Sequence, residues 1–194
     1  MSIEDVFPDW PRPPYEGFRA DDLFRVPDLP RHTQLIDGSF VYRSPQSNFH
    51  TTANCLLENG LLRAAPDPLD VVREMVVVLG PRQAPEPDIA VVREETPRGM
   101  DNDRYYGHEV VLALETVSPD SEERDRKRKP QLYAEAGIPY FWRVEAGADW
   151  RPEVHTYELD PGPGVYRATG VHRGRLRTAV PFDVDIDLTE IDKL

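Results

Sequence analysis

Apolar residues in this chain fall into short runs bounded by turn residues, which favours a β-rich domain. The run at 110–114 is dominated by β-branched and aliphatic side chains and is closed by Ser118-Pro119. A run of this length and composition predicts a strand buried on both faces. The same pattern predicts strands over 71–79, 88–92 and 139–144, and short edge strands over 153–159, 165–168 and 176–179.

Two helices and one hairpin complete the predicted elements. Residues 33–44 predict a hairpin that turns at Asp37-Gly38. Ser47 is the expected N-cap of an amphipathic helix, whose apolar stripe is Phe49, Ala53, Leu56, Leu57, Leu61 and Ala64. A second helix is expected to end at Ala136, with Gly137 as its C-cap. Polar residues 94–106 predict a loop, and a helical turn is expected after Leu188. This alternation predicts an α/β or α+β fold with a mixed sheet.

Residues 1–30 predict an extended, proline-rich arm, and residues 31–194 a single domain. Proline interrupts any helix or ladder in the arm, and several aromatic residues lie between the prolines. An arm laid over the domain surface and a proline-rich ligand for a partner are both consistent with this composition.

Composition places the chain among soluble proteins. Its 194 residues suit one domain, and no apolar run approaches the roughly 20 residues that span a bilayer. The acidic N-terminus lacks the layout of a secretory signal. A single cysteine, Cys55, excludes an internal disulfide and a cysteine-based zinc site. We expect a cytoplasmic protein without a membrane partner.

The formal net charge of −12 disfavours a broad nucleic-acid-binding surface, because phosphate contacts supply most non-specific affinity. Residues 1–30 hold seven acids and three bases, and residues 181–194 hold five acids and one base. The two ends therefore carry eight of the twelve excess negative charges. A local basic groove remains compatible with the middle of the chain.

Glu115 is a lone carboxylate in the predicted buried strand, and a buried charge needs a partner. Asp88 begins another apolar strand, and antiparallel pairing of the two strands would bring these carboxylates together. Two hard oxygen ligands at such a point suit Mg²⁺ or Mn²⁺, which can polarise a phosphodiester and activate water. Lys129 is the candidate ammonium that stabilises charge on the phosphate.

Each of these residues also has a structural interpretation. Asp88 after a proline can cap a turn, and Glu115 can form a salt bridge with an arginine. The basic residues between 124 and 129 alternate with acids and can form a solvated face. His50, on the first helix, suits a cap or surface position better than metal ligation.

The order of motifs resembles the Uma family of bacterial putative restriction endonucleases, within the PD-(D/E)XK nuclease superfamily. The matching motifs are P-x-P-D-I-A-V-V over residues 85–92, L-x-L-E-x-V-S-P around Glu115, and D-x-x-x-K-x-x-x-Y-x-x-x-G-I-P-x-F-W-x-V from Asp125. The resemblance implies a restriction-endonuclease-like core, a mixed sheet flanked by helices, with Asp88 and Glu115 as Mg²⁺ (or Mn²⁺) ligands.

The same resemblance assigns the remaining site residues. The superfamily lysine usually lies two residues after the acid, where this chain has Val117, and the family pattern supplies Lys129 from the following helix instead. Helical spacing puts Asp125, Lys129 and Tyr133 on one face, although Pro130 must start or kink that helix. Gln34 stands where family members often carry an acid, and the helix with His50 fits the pattern.

The leading hypothesis is therefore a metal-dependent DNA endonuclease, with Asp88, Glu115 and Lys129 as its catalytic residues. A nuclease-fold protein that binds nucleic acid or a protein partner without cleaving is the alternative, and a hydrolase of another phosphate ester is a third. A homodimer is expected if both DNA strands are cut, because C₂ symmetry is the commonest assembly.

Overall fold

The structure, a computed structural model, describes residues 11–93, 99 and 101–194. Its strands within this part of the chain are β1 (Gln34–Ile36), β2 (Ser39–Val41), β3 (Leu69–Arg73), β4 (Val76–Val78), β5 (Ile89–Arg93), β6 (Arg104–Tyr106), β7 (Val110–Thr116), β8 (Tyr140–Ala146), β9 (Pro152–Asp160), β10 (Val165–Arg173), β11 (Arg175–Thr178) and β12 (Val184–Asp187). Its α-helices are α1 (Asn48–Ala64) and α2 (Lys129–Glu135).

Six strands form one mixed sheet in the order β10-β9-β8-β7-β5-β3. β7 pairs parallel with β8, and the remaining neighbours pair antiparallel. All seven residues of β7 are buried, as its apolar run predicts. The predicted mixed sheet is confirmed.

The two faces of this sheet are covered by different helices. Ile89 and Leu114 pack in a cluster with Leu57 of α1, whereas Ala90 and Ala113 pack with Tyr133 of α2. Because neighbouring residues of a strand point to opposite faces, each central strand contributes to both apolar clusters. A sheet flanked by helices is therefore confirmed.

Helix α1 begins where the sequence predicts. Ser47 is its N-cap, and its hydroxyl accepts a hydrogen bond from the His50 backbone N–H at 3.2 Å. This cap starts the helix so that its predicted stripe packs on the sheet while the His50 side chain lies at the sheet end.

Pro130 is accommodated by a π-helical turn over Arg124–Arg128 that leads directly into α2. In that turn the Lys129 N–H donates to the carbonyl of Arg124, five residues back. Pro130 then falls in the first turn of α2, where its missing N–H costs little. The helix ends as predicted, with Gly137 at φ 77°.

The predicted strand over 71–79 is wrong: it is two strands in different sheets. Glu74 interrupts it with φ 51°, a left-handed conformation that ends β3 and redirects the chain into β4. The Glu74 N–H donates to the carbonyl of Asp88 at 3.2 Å. Tertiary contact at Asp88 therefore decides a break that the unbroken apolar pattern conceals.

The C-terminal strands also differ from prediction. β9 is nine residues long and lies between β8 and β10, so it is not an edge strand. β12 pairs with β11 in a separate hairpin that the sequence pattern did not indicate, while the helical turn over Leu188–Lys193 was expected. The predicted loop over 94–106 contains β6, which pairs parallel with β4, and residues 94–98 and 100 lie outside the described part.

The described part of the predicted arm, residues 11–30, packs on the β1–β2 hairpin. Phe18 stacks on Phe40 with ring centroids 4.0 Å apart, and both rings are buried. The hairpin turns at Asp37 and Gly38, both with positive φ, as predicted. Residues 1–10 lie outside the described part, and the boundary at residue 30 remains a prediction. Among the described residues, no helix has the length and apolar character needed to cross a membrane.

Candidate active site

Asp88 and Glu115 face each other at one end of the central sheet. Strands β5 and β7 are antiparallel neighbours whose last registered pair is Ile89 with Leu114, so Asp88 and Glu115 occupy the next position of that register. Each lies two residues from Ala90 or Ala113, which share the face covered by α2. Both acids are 1% exposed. We refer to these two acids and the side chains that contact them, together with Glu86 and Asp125, which face Arg43 and Lys129, as the acid centre.

Asp88 is held by three donors from different elements. Arg43, which follows β2, contacts Oδ1 through Nη2, and Nε2 of His50 lies 3.2 Å from the same oxygen. The Thr116 backbone N–H donates to Oδ2 at 2.7 Å. The carboxylate is thus fixed by a guanidinium, an imidazole and the end of β7.

A hydrogen-bond relay positions the His50 ring. The Thr116 hydroxyl donates to Asn54 Oδ1 at 2.6 Å, which leaves the Asn54 amide to donate to His50 Nδ1 at 3.2 Å. His50 Nδ1 is therefore the acceptor, and the neutral ring carries its proton on Nε2, directed at Asp88. His50, for which a cap or surface position was expected, is buried and orients a site residue.

Glu115 is held from α2 and the turn before it. Lys129 Nζ donates to Oε2 at 2.8 Å, and the Tyr133 hydroxyl donates to Oε1 at 2.5 Å. Asp125 Oδ1 lies 3.3 Å from Lys129 Nζ. The π-helical turn places Lys129, Tyr133 and Asp125 on the buried side, so Pro130 does not turn the ammonium away.

The acid centre contains more buried carboxylates than buried cations. Four carboxylates, Glu86, Asp88, Glu115 and Asp125, are buried. Two cations, Arg43 and Lys129, face them. With all four carboxylates ionised, and without His50 and His32, which are charged only when protonated, the formal balance is an excess of two negative charges. One divalent cation would neutralise it.

Burial and the neighbouring charges together shift the pKa values of the central groups. Burial is the largest cause that raises the pKa of Glu115, to about 8; the Lys129 charge opposes it, and the charges of Asp125 and Asp88 add to it. Burial opposes protonation of Lys129, yet the charges of Glu115 and Asp125 raise its pKa overall. Burial and the Glu115 charge raise the pKa of the Tyr133 hydroxyl.

Asp88 behaves differently from its neighbour. Burial acts to raise its pKa, but the hydrogen bond from His50 and the charge of Arg43 outweigh burial and lower the pKa below its usual range. Asp88 is therefore ionised at neutral pH, whereas additional positive charge near Glu115 would favour its ionised form. The two acids differ because their donors differ.

The residues present fit a magnesium-type ion held mainly by two carboxylates. In residues 11–93, 99 and 101–194, no group of three or more His, Cys, Asp or Glu side chains is arranged to hold a metal. Mg²⁺ is often held by one or two carboxylates together with water and substrate phosphate, and Asp88 and Glu115 are the two residues that could hold such an ion here. One buried oxygen of Asp125, Oδ1, accepts no hydrogen bond and has only the ion-pair contact with Lys129 at 3.3 Å.

Gln34 lies beside the acid centre without contacting either acid through a hydrogen bond in the described residues. Its Oε1 accepts from the Glu86 backbone N–H at 3.3 Å. Glu86 in turn accepts from His32 at 2.7 Å, and Arg43 Nη1 lies 3.7 Å away. Gln34 thus supports the loop before Asp88.

The exposed bases of the π-helical turn pair with carboxylates. Arg126 contacts Glu145 through Nη2 at 2.6 Å, and Lys127 contacts Glu123 at 3.4 Å. Arg128 donates to Asp37 of the hairpin through Nε at 2.8 Å. These contacts match the solvated, paired face that was one interpretation of the basic run.

Sequence reasoning missed Arg43, Asn54 and Glu86. Arg43 follows a hairpin and is 45 positions from Asp88, so no spacing rule connects them. Asn54 offered a signal, because a polar residue one turn after His50 interrupts the apolar stripe of α1. Glu86 occupies the unspecified x position of the P-x-P-D motif, so the motif assigns it no role.

Comparison with known proteins identifies one family. A family model described as Uma2, putative restriction endonuclease, matches residues 20–189. A crystal structure of a putative nuclease belonging to DUF820 from Anabaena variabilis superposes with a TM-score of 0.68 at 15% sequence identity, covering 89% of this chain and 96% of that chain. At this identity the likeness concerns the fold. No curated protein matches the chain.

Proposed function

The chain belongs to the Uma2 family of putative restriction endonucleases, and we propose that it is a divalent-metal-dependent DNA endonuclease of the PD-(D/E)XK type. Asp88 and Glu115 would hold Mg²⁺ or Mn²⁺, and Lys129 would act on the phosphate. The substrate in this proposal is double-stranded DNA.

The excess of buried negative charge at the acid centre carries this proposal. Burying carboxylates without enough counter-charge costs stability, so a fold that retains four of them beside two cations has a use for a further cation. The hydrogen bonds from Thr116 and Tyr133 hold one oxygen of each acid in a fixed direction. Such second contacts orient ligands for an ion.

Each residue of the acid centre has a distinct task in the proposed reaction. When bound, the ion would polarise the phosphodiester and lower the pKa of a bound water. Lys129, 2.8 Å from Glu115 Oε2, would stabilise the negative charge that builds on the phosphate. Tyr133 fixes Glu115, and His50 fixes Asp88.

Cleavage of both strands would use two such centres, so a homodimer with C₂ symmetry is the assembly we propose. The net charge of −12 leaves few cations for phosphate contacts, so we expect weak non-specific binding to DNA. A dimer would double those few contacts.

A non-cleaving protein with the nuclease fold is the second candidate. Arg43 and Lys129 already contact the two acids, which is the arrangement expected if the acid centre only stabilises the fold. In that case the protein would bind nucleic acid or a protein partner through other surfaces.

Supercoiled plasmid separates the two candidates. With Mg²⁺ or Mn²⁺ we expect nicked or linear product from the wild-type protein, none with EDTA, and none from Glu115→Gln. Glu153→Gln is the matched control, because Glu153 of β9 pairs with the exposed Arg173 of β10, away from the acid centre. This variant should cleave the plasmid like the wild-type protein. Intact plasmid in every lane would favour the non-cleaving candidate.

A further inference from the structure

We propose that Arg43 is the resident counter-ion of Asp88, and that a divalent cation binds only when its guanidinium leaves the carboxylate. This inference rests on the proposed function, because it concerns the same cation site. It makes Arg43 a positioning residue that sets the affinity of the site for metal.

The contact between Arg43 and Asp88 is incomplete for an arginine. A guanidinium usually grips a carboxylate with two parallel donors, but here Nη2 alone contacts Oδ1 of Asp88. The other terminal nitrogen, Nη1, is buried and donates to no partner in the described part of the chain. Nη2 also lies 3.3 Å from His50 Nε2, so a single nitrogen of Arg43 makes the contact with Asp88.

The other donors on Asp88 are fixed more firmly. The Thr116 N–H belongs to the last residue of β7, so it cannot withdraw without disturbing the strand. His50 is held through Asn54 and by its place in the capped first turn of α1. Arg43 lies beyond the end of β2, outside any strand or helix, and its contact is made by the end of a long side chain. Of the three donors, it is the one that can move.

A divalent cation and the guanidinium would repel each other if both contacted Asp88. Their charges have the same sign, and the centre is buried, so water screens the repulsion poorly. His50 and the Thr116 N–H carry no net charge in the relay described above and would remain compatible with the ion. Electrostatics thus selects Arg43 as the group to be displaced.

An alternative position for the guanidinium is already present. Nη1 of Arg43 lies 3.7 Å from Glu86 and 3.9 Å from Glu74. A modest rotation of the side chain would exchange Asp88 for these two carboxylates. Arg43 would then remain paired while Asp88 becomes available to the ion.

Competition of this kind couples the two events reciprocally. If the Arg43 contact weakens metal binding, bound metal must weaken the Arg43 contact by the same factor. Arg43→Gln should therefore bind Mn²⁺ about tenfold more tightly than the wild type, within the usual range of such couplings. The variant should also lose thermal stability in EDTA, where Asp88 has no resident cation.

Thermal unfolding in EDTA and in saturating Mn²⁺ tests the inference on wild type, Arg43→Gln and Arg175→Gln. Arg175→Gln is the matched control, because this substitution removes the same charge from an exposed pair with Asp185. We expect the Tm of Arg43→Gln to lie below wild type in EDTA and to approach it in Mn²⁺. Arg175→Gln should follow the wild type in both conditions.

An equal Tm deficit of Arg43→Gln in both conditions would overturn the inference while leaving the metal site intact. If Mn²⁺ shifts the Tm of neither protein, the proposed function fails and the inference fails with it. Should Arg43→Gln not fold, wild-type crystals soaked in Mn²⁺ give the answer. Manganese on Asp88 with Arg43 turned toward Glu74 and Glu86 supports the inference, and manganese beside an unmoved guanidinium overturns it.

Discussion

The acid centre and the surface of the C-terminal strands use the same side-chain types in different surroundings. On that surface, Arg173 pairs with Glu153 at 2.7 Å and Arg175 with Asp185 at 2.6 Å, and the two arginine side chains are 67% and 50% exposed. In the acid centre, Lys129 and Glu115 are 2.8 Å apart at 3% and 1% exposure. Similar distances therefore join pairs whose energies differ greatly.

Burial is what separates the two regions. A surface pair gains little, because water screens its attraction and both side chains lose freedom. In a buried pair, water cannot solvate either charge, so the loss of one partner leaves the other charge buried and uncompensated. The acid centre is thus sensitive to every change of charge, and this sensitivity is also what allows it to respond to a cation.

Removal of the buried ammonium should have the largest effect on stability. Lys129→Met leaves Glu115 and Asp125 without their shared cation, and we expect the free energy of unfolding in EDTA to fall by about 3 to 5 kcal/mol. Urea denaturation measures this change. Lys127→Met is the matched control, since Lys127 pairs with the exposed Glu123. Equal stability of the two variants would show that the buried and the exposed ion pairs contribute equally to stability.

The pH dependence of stability should come next. The folded-state pKa of Glu115 is about 8 against an ordinary value of 4.5, so between these values the folded protein holds a proton that the unfolded chain releases. The free energy of unfolding in EDTA should therefore fall as pH rises through this window, by at most about 1.4 kcal/mol per pH unit. Urea denaturation at several pH values measures the slope.

Glu115→Gln should flatten that slope, because glutamine does not titrate. Glu153→Gln, at an exposed pair, should keep it. An unchanged slope in Glu115→Gln would mean that another group of the protein is responsible.

Loss of one neutral hydrogen bond in the relay should cost less. Thr116→Val leaves Asn54 Oδ1 buried without its donor, and we expect a loss of about 1 to 3 kcal/mol in urea denaturation. Thr178→Val removes an exposed hydroxyl bond to the Val180 carbonyl and is the control. A stable Thr116→Val would show that the relay does not constrain His50.

The smallest effect is expected on the surface. Arg173→Gln should leave the urea midpoint unchanged within error, because water replaces the contact with Glu153. A clear loss would indicate that the surface pairs act as a network and would bring the two regions closer together.

The convergence of Asp88 and Glu115 could be predicted because each acid sits at the end of an apolar run. The prediction is conditional on antiparallel pairing of these two runs, and the structure shows that pairing. The sequence could predict that Lys129 lies near the acids but not the direction of its side chain. That direction depends on the π-helical turn that accommodates Pro130, and the turn depends on how the helix packs.

Arg43 was not predictable, because tertiary packing brings it to Asp88. The bridge between Leu35 and Ala84 lays the hairpin beside the segment that leads into β5. This bridge and the hydrogen bonds beside it bring Arg43, 45 positions away in sequence, to the carboxylate. The break at Glu74 has the same origin, in a backbone contact with Asp88. Local patterns locate the acids, while packing chooses their partners.

Isothermal titration of the metal-free protein with Mn²⁺ tests the central claim most directly. We predict saturable binding to the wild type and to Glu153→Gln, and its loss in both Asp88→Asn and Glu115→Gln. Binding that survives in both of these variants, or no binding to the wild type at millimolar Mn²⁺, would contradict the assignment of the acid centre as a cation site.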